Sequence, residues 1–172
     1  VEAYDPQLGA WALVASMSVK RRRHASLVLG GKIYAMGGLG EDDTTLDTVE
    51  VYDPQADSWQ QVASMPQCLS GHAAEAMGGK IYVTGGHNRE DIATAAIYVY
   101  DPHADAWTQL ASMSITRQCH TSAVVDGKLY VFGGFSHGEN VSTAEVYDPV
   151  SNSWADGFSL TFGRNRMAAT AL

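Results

Sequence analysis

The dipeptide Asp-Pro returns at Asp5-Pro6, Asp53-Pro54, Asp101-Pro102 and Asp148-Pro149, at intervals of 48, 48 and 47 residues. Trp11, Trp59, Trp107 and Trp154 keep the same clock, as do the glycine pairs Gly37-Gly38, Gly85-Gly86 and Gly133-Gly134 and the histidines His24, His72 and His120. One period shared by four unrelated markers means an array of similar units. Each unit leaves apolar faces that only its neighbours can cover, so the repeat constrains the fold more than any local propensity.

Each unit reads approximately Val-Glu-Val-Tyr-Asp-Pro, Trp, Ala-Ser-Met, His with a small apolar run, Gly-Lys-Ile-Tyr, two apolar positions and Gly-Gly. In the first full unit the short apolar runs at 25–29, 32–36, 48–52 and 58–62 predict four strands by length, alternation and bounding turn residues. The segment from Asp53 to Asp57 is turn chemistry, with Pro54 fixing φ and aspartate able to bond its own backbone. The recurring Tyr, Trp and Met read as packing between units, and the Ala-Ser-Met copies at 15–17, 63–65 and 111–113 as connectors.

This order of markers resembles the kelch repeat over essentially the whole chain. The resemblance implies an all-β fold, a kelch-type β-propeller segment of four-stranded antiparallel blades. About three and a half repeats of 47–48 residues, approximately 1–48, 49–96, 97–144 and 145–172, make a single partial propeller over 1–172. The chain enters at a third strand. Half a blade, three full blades between 24 and 158 and a lone first strand at 167–172 are therefore expected. Propellers close their sheet edges in rings of about four to eight blades, so the segment implies either a longer kelch domain or self-association of two copies to complete the ring.

Composition narrows the function. Apolar residues make up 45% and charged residues 17% of the 172, a globular balance, and no apolar run approaches the roughly 18 residues of a membrane helix. A formal charge of −8 repels phosphate backbones, so neither nucleic acid nor membrane is an expected partner. Cys68 and Cys119 lie in different repeats and form neither a disulfide framework nor a zinc motif, which fits a reducing, cytoplasmic setting. Asn140-Val141-Ser142 matches the glycosylation pattern but would matter only in a secreted protein.

The kelch resemblance implies a protein–protein interaction scaffold that recognises a partner segment, acidic or mixed, through the loops at one propeller face. An arginine just ahead of each first strand is implied at the central pocket. The matching positions are Arg21, Leu69, Arg117 and Arg164, with Leu69 the departure. The residue after each Gly-Gly (Leu39, His87, Phe135) and the one before each third strand (Thr48, Ala96, Thr143) are implied nearby. The expected partner-binding set is thus Arg21, Arg117, Arg164, Thr48, Thr143, His87 and Phe135. Guanidinium forks suit carboxylates, and the dense basic run from Lys20 to Arg23 is a local exception in an acidic chain.

No catalytic residue, metal or cofactor is expected. His24, His72 and His120 come one per blade, whereas metal ligands must all reach within about 2 Å of one ion. Copper radical oxidases on this fold need a Tyr/Cys/His constellation, and both cysteines here sit in connectors. A sugar-processing, epimerase-like propeller would draw on Glu75, His87 and His120. That reading and a structural subunit of a large assembly are the alternatives to a scaffold. A BTB and helical module upstream would make the scaffold a substrate adaptor of a cullin-type ubiquitin ligase.

Overall fold

The computed structural model describes residues 1–170, all of whose regular structure is antiparallel strand. The chain opens with the hairpin β1 (Glu2–Asp5) and β2 (Ala10–Leu13), a half blade. Blade 1 follows as β3 (Ala25–Leu29), β4 (Lys32–Met36), β5 (Val49–Asp53) and β6 (Ser58–Val62). Blade 2 is β7 (Ala73–Met77), β8 (Lys80–Thr84), β9 (Ile97–Asp101) and β10 (Ala106–Gln109). Blade 3 is β11 (Thr121–Val125) and β12 (Lys128–Phe132), then a small hairpin of β13 (Phe135–Ser136) and β14 (Glu139–Asn140), then β15 (Ala144–Asp148) and β16 (Ser153–Asp156).

Within each blade the strands lie in chain order, the first strand of one blade beside the first strand of the next: β3 against β7 and β7 against β11. These first strands line the axis. Three of the four strand spans expected in blade 1 match, and the third runs one residue later, because the Thr48 carbonyl accepts a hydrogen bond from Gly37 and is also taken by Arg21. The segment 167–172, expected as a first strand, has no strand through Thr170, its last two residues lying outside the described residues. Among the described residues no strand pairs with this segment.

The cores sit between blades, as the repeat requires. One combines Met36, Val49, Val51 and Met65 with Ile81, Val83 and Tyr98 across blades 1 and 2. The other joins Met77, Ile97 and Met113 to Leu129, Val131 and Tyr147 across blades 2 and 3. At the rim, each blade grips the connector that feeds it. Trp59, Trp107 and Trp154 donate from Nε1 to the carbonyls of Ala15, Ala63 and Ala111. The amides of those same alanines donate to Asp57, Asp105 and Asn152, whose side chains also accept from Tyr52, Tyr100 and Tyr147.

The Gly-Gly pairs are forced by a close approach. At φ +57, a Cβ on Gly37 would fall 2.9 Å from His72 Cε1, and one on Gly85 2.7 Å from His120 Cε1. The first two glycine pairs therefore seat the next blade's histidine beneath them, and Gly133 seats Met167 in the same way.

Candidate functional site

The loops at one end of the blades surround a funnel, and the polar residues there divide into two sets. The first points inward. Arg21 donates to the carbonyls of Gly37 and Thr48, to Thr48 Oγ1 at 3.3 Å and to Glu50 at 2.7 Å. Arg117 repeats this with Gly133, Thr143 and Glu145, the last at 2.8 Å. Both guanidiniums are 0% exposed, and their carboxylates 2% and 3%.

Each glutamate is held from the other side as well. Glu50 accepts from the amides of Ser18 and Val19 and from the Ser18 hydroxyl, and Glu145 accepts from the amides of Ser114 and Ile115. Burial works to raise the Glu50 carboxyl, but the Ser18 amide and then Arg21 outweigh it and hold it below the usual carboxylate value. Both clusters are closed. Arg21, Arg117, Thr48 and Thr143, expected to meet a partner, are placed in these clusters, where they tie the connector to the third strand of their own blade with both guanidiniums buried.

Arg164 is the third copy, exposed and without a carboxylate partner among the described residues.

The second set lines the funnel. Arg23, Gly71, Cys119 and Arg166 occupy one repeat position, all with left-handed backbone, φ between 52° and 62°. The Gly71 amide donates to the Arg23 carbonyl, Cys119 to Gly71 and Arg166 to Cys119, at 3.0, 2.7 and 2.8 Å. This belt stitches consecutive blades around the axis. Arg23 and Arg166 then border two connected cavities of about 380 and 410 Å³, the first with Gln118, Cys119 and Phe135, the second with His72 and His120.

The neighbouring cations are neutralised within blade 1. Lys20 pairs with Glu41 at 2.6 Å, Arg21 with Glu50 and Arg22 with Asp43. The basic run from Lys20 to Arg23 thus leaves one guanidinium, that of Arg23, without an ion-pair partner among the described residues. Arg166 is likewise unpaired and exposed.

Of the expected contact residues, His87 and Phe135 do reach this face. His87 borders a cavity of about 350 Å³ with Arg23 and Arg89, its Nδ1 lying 3.2 Å from Asp91. Phe135 is half-buried and bonded through its backbone to Gln118.

The axial histidines are structural. His120 Nε2 lies 2.9 Å from Thr84 Oγ1, whereas the His72 ring nitrogens meet no polar partner. Burial pushes His72 down to about 4 and, with the Arg117 charge adding to it, His120 down to about 3. Among the described residues no group of three or more His, Cys, Asp or Glu is placed to hold a metal ion, and no helix is long and apolar enough to cross a membrane.

Blades repeated around an axis and a funnel rimmed by loops define a partial β-propeller. The chain belongs to the kelch-repeat family: the family described as the KLHDC2/KLHL20/DRC7 Kelch-repeats domain matches residues 23–161. Human kelch-like protein 5 is 50% identical over 38 residues, which are 22% of this chain and 5% of that protein. The solved structure of YjhT superposes with a TM-score of 0.79 at 17% identity, covering 91% of this chain and 57% of that one. The chain thus spans a small part of the curated relative's length and about half of the structural neighbour's.

Proposed function

We propose that the chain is a protein-binding scaffold whose funnel-side loops hold a partner segment bearing a carboxylate, with Arg23 and Arg166 as its anchors. The observation that carries this reading is the contrast in pairing. Lys20, Arg21 and Arg22 all pair with carboxylates of their own blade, while Arg23 and Arg166 border open cavities and make no ion pair among the described residues, although Asp91 lines one of those cavities with them. A free guanidinium beside a cavity meets a carboxylate with two parallel hydrogen bonds.

The kelch family membership supports recognition as the general activity of such a face, although function on this fold must rest on the site itself. On this reading the chain is not an enzyme, works in the cytoplasm and takes an acidic peptide or protein. Service as the substrate-recognition part of a ubiquitin ligase adaptor is its most specific form.

A sugar-processing reading draws on Glu75, which burial raises above the usual carboxylate value and which accepts from Ser122 Oγ at 3.1 Å. The acid and base it needs are dispersed. His87 borders the groove between blades 1 and 2, and His120 lies beneath Gly85.

The test is reversal of the two free charges. A variant with Arg23→Glu and Arg166→Glu is expected to lose capture of acidic peptides in a display selection, while the parent enriches them with affinities that fall as salt rises. Equal enrichment on parent and variant would overturn the proposal.

A further inference from the structure

The structure assigns a second, apolar half to the recognition face, so that the partner segment carries a carboxylate flanked by an apolar side chain; this rests on the reading of the funnel as a recognition site. Between blades 2 and 3 lies a cavity of about 290 Å³, lined by Ile92, Ala93, Thr116 and Phe135 with Asp91, Gln118, His137 and Gly138. Asp91, Gln118 and Phe135 also line the cavity that holds Arg23 and Arg166. The two spaces form one groove, cationic toward the axis and apolar toward the rim.

The apolar half is particular to this pair of blades. Between blades 1 and 2 the equivalents of Ile92, Ala93 and Phe135 are Thr44, Thr45 and His87, and that groove has Leu39 as its one large apolar lining residue beside Arg22, Arg23, Asp43, Asn88 and Arg89. Ile92 is 57% exposed at the head of its loop, a large apolar side chain with no core to join. A volume near the small end of ligand pockets, which run from roughly 300 Å³, suits one or two side chains.

The charges orient the occupant. Arg23 and Arg166 take its carboxylate, while Asp91, at the junction of the two halves, repels a second acid there. A carboxylate next to an apolar residue satisfies both halves, whereas a uniformly acidic stretch satisfies one.

The experiment is a selection of displayed random dodecapeptides on the intact chain, followed by affinities of the enriched peptides for three variants: Arg23→Glu with Arg166→Glu, Ile92→Ser, and Phe135→His. His87 stands at the repeat position of Phe135, so the last change borrows a residue the fold already carries. Enriched peptides are expected to pair an acid with a neighbouring Leu, Ile, Phe or Met. Their binding should be lost on charge reversal and weakened about tenfold by Ile92→Ser or Phe135→His, with circular dichroism unchanged. Acidic peptides that bind through Arg23 and Arg166 but ignore the apolar residue and both apolar variants would overturn the second half alone. Absence of acidic peptides would overturn the first.

Discussion

Blades 1 and 3 fasten their connectors with a buried ion pair, and blade 2 does the same job without a charge. Where blade 3 has Ser114, Arg117, Thr143 and Glu145, blade 2 has Pro66, Leu69, Ala96 and Tyr98. Every member of the polar cluster is replaced together. Leu69 is fully buried, and Ala96 and Tyr98 are buried beside it. Pro66 lacks the N–H that Ser114 gives to Glu145, so the loss of the acceptor strands no donor at that position. The three full blades thus show two solutions and no half-converted one. A lone buried charge costs several kcal/mol, while a full ion pair and a well-packed apolar substitute are close in energy.

The comparison breaks most severely when half of a cluster is removed. Arg117→Leu alone leaves Glu145 buried without its cation, and chemical denaturation should show a loss of about 3–5 kcal/mol. A loss below about 1 kcal/mol would mean that the cluster is not sealed from water.

The next largest effect is in acid. His72 and His120 stay neutral when folded down to about pH 4 and 3, whereas an unfolded imidazole takes its proton near 6.5. Stability from this source is therefore full above pH 6.5 and falls as pH drops, by about 3 kcal/mol per histidine at pH 4 from proton linkage. Met167 occupies the same repeat position in the last unit, so His72→Met should fold and flatten part of this acid limb in urea titrations between pH 7 and 4.

A smaller loss follows from the rim clamp. Asp105→Ala removes the acceptor of both the Ala63 amide and the Tyr100 hydroxyl and should cost about 2 kcal/mol in denaturation. Asp105→Asn should cost less, since Asn152 makes the same bonds in blade 3.

The smallest effect is the most informative about the comparison. Installing Pro, Leu, Ala and Tyr at 114, 117, 143 and 145 together should leave blade 3 within about 1–2 kcal/mol of the parent, because no charge is left buried and only the Ile115 amide and the installed hydroxyl, which in blade 2 has Gln67 as acceptor, lose partners. A penalty equal to that of Arg117→Leu alone would show that blade 2 depends on something beyond these four positions.

The blade architecture was legible because period, glycine pairs and turn residues are local signals. Three strand spans of blade 1 follow from them directly. The hairpin β13–β14 was missed, since Phe135–Ser136 and Glu139–Asn140 are too short for any periodicity.

At the site, the structure puts His87 and Phe135, expected from their place after Gly-Gly, on the funnel face, while the proposed anchors Arg23 and Arg166 lie two residues beyond the arginines expected there. Arg21 and Arg23 are indistinguishable as residue types, and only the left-handed backbone at Arg23 and the burial of Arg21 separate them. A signal was nonetheless present in the sequence. Leu69 departs from arginine in the same repeat in which Tyr98 departs from glutamate, and such joint loss marks an internal pair rather than two independent ligand contacts.

The most direct test of this division of labour is the affinity of one selected acidic peptide, by fluorescence anisotropy, for two variants side by side. The four-residue exchange in blade 3, which deletes Arg117, is expected to bind as the parent does, while Arg23→Glu with Arg166→Glu binds at least tenfold more weakly. The opposite pattern, with binding lost on the exchange and kept on charge reversal, would contradict it and make Arg117 the contact residue.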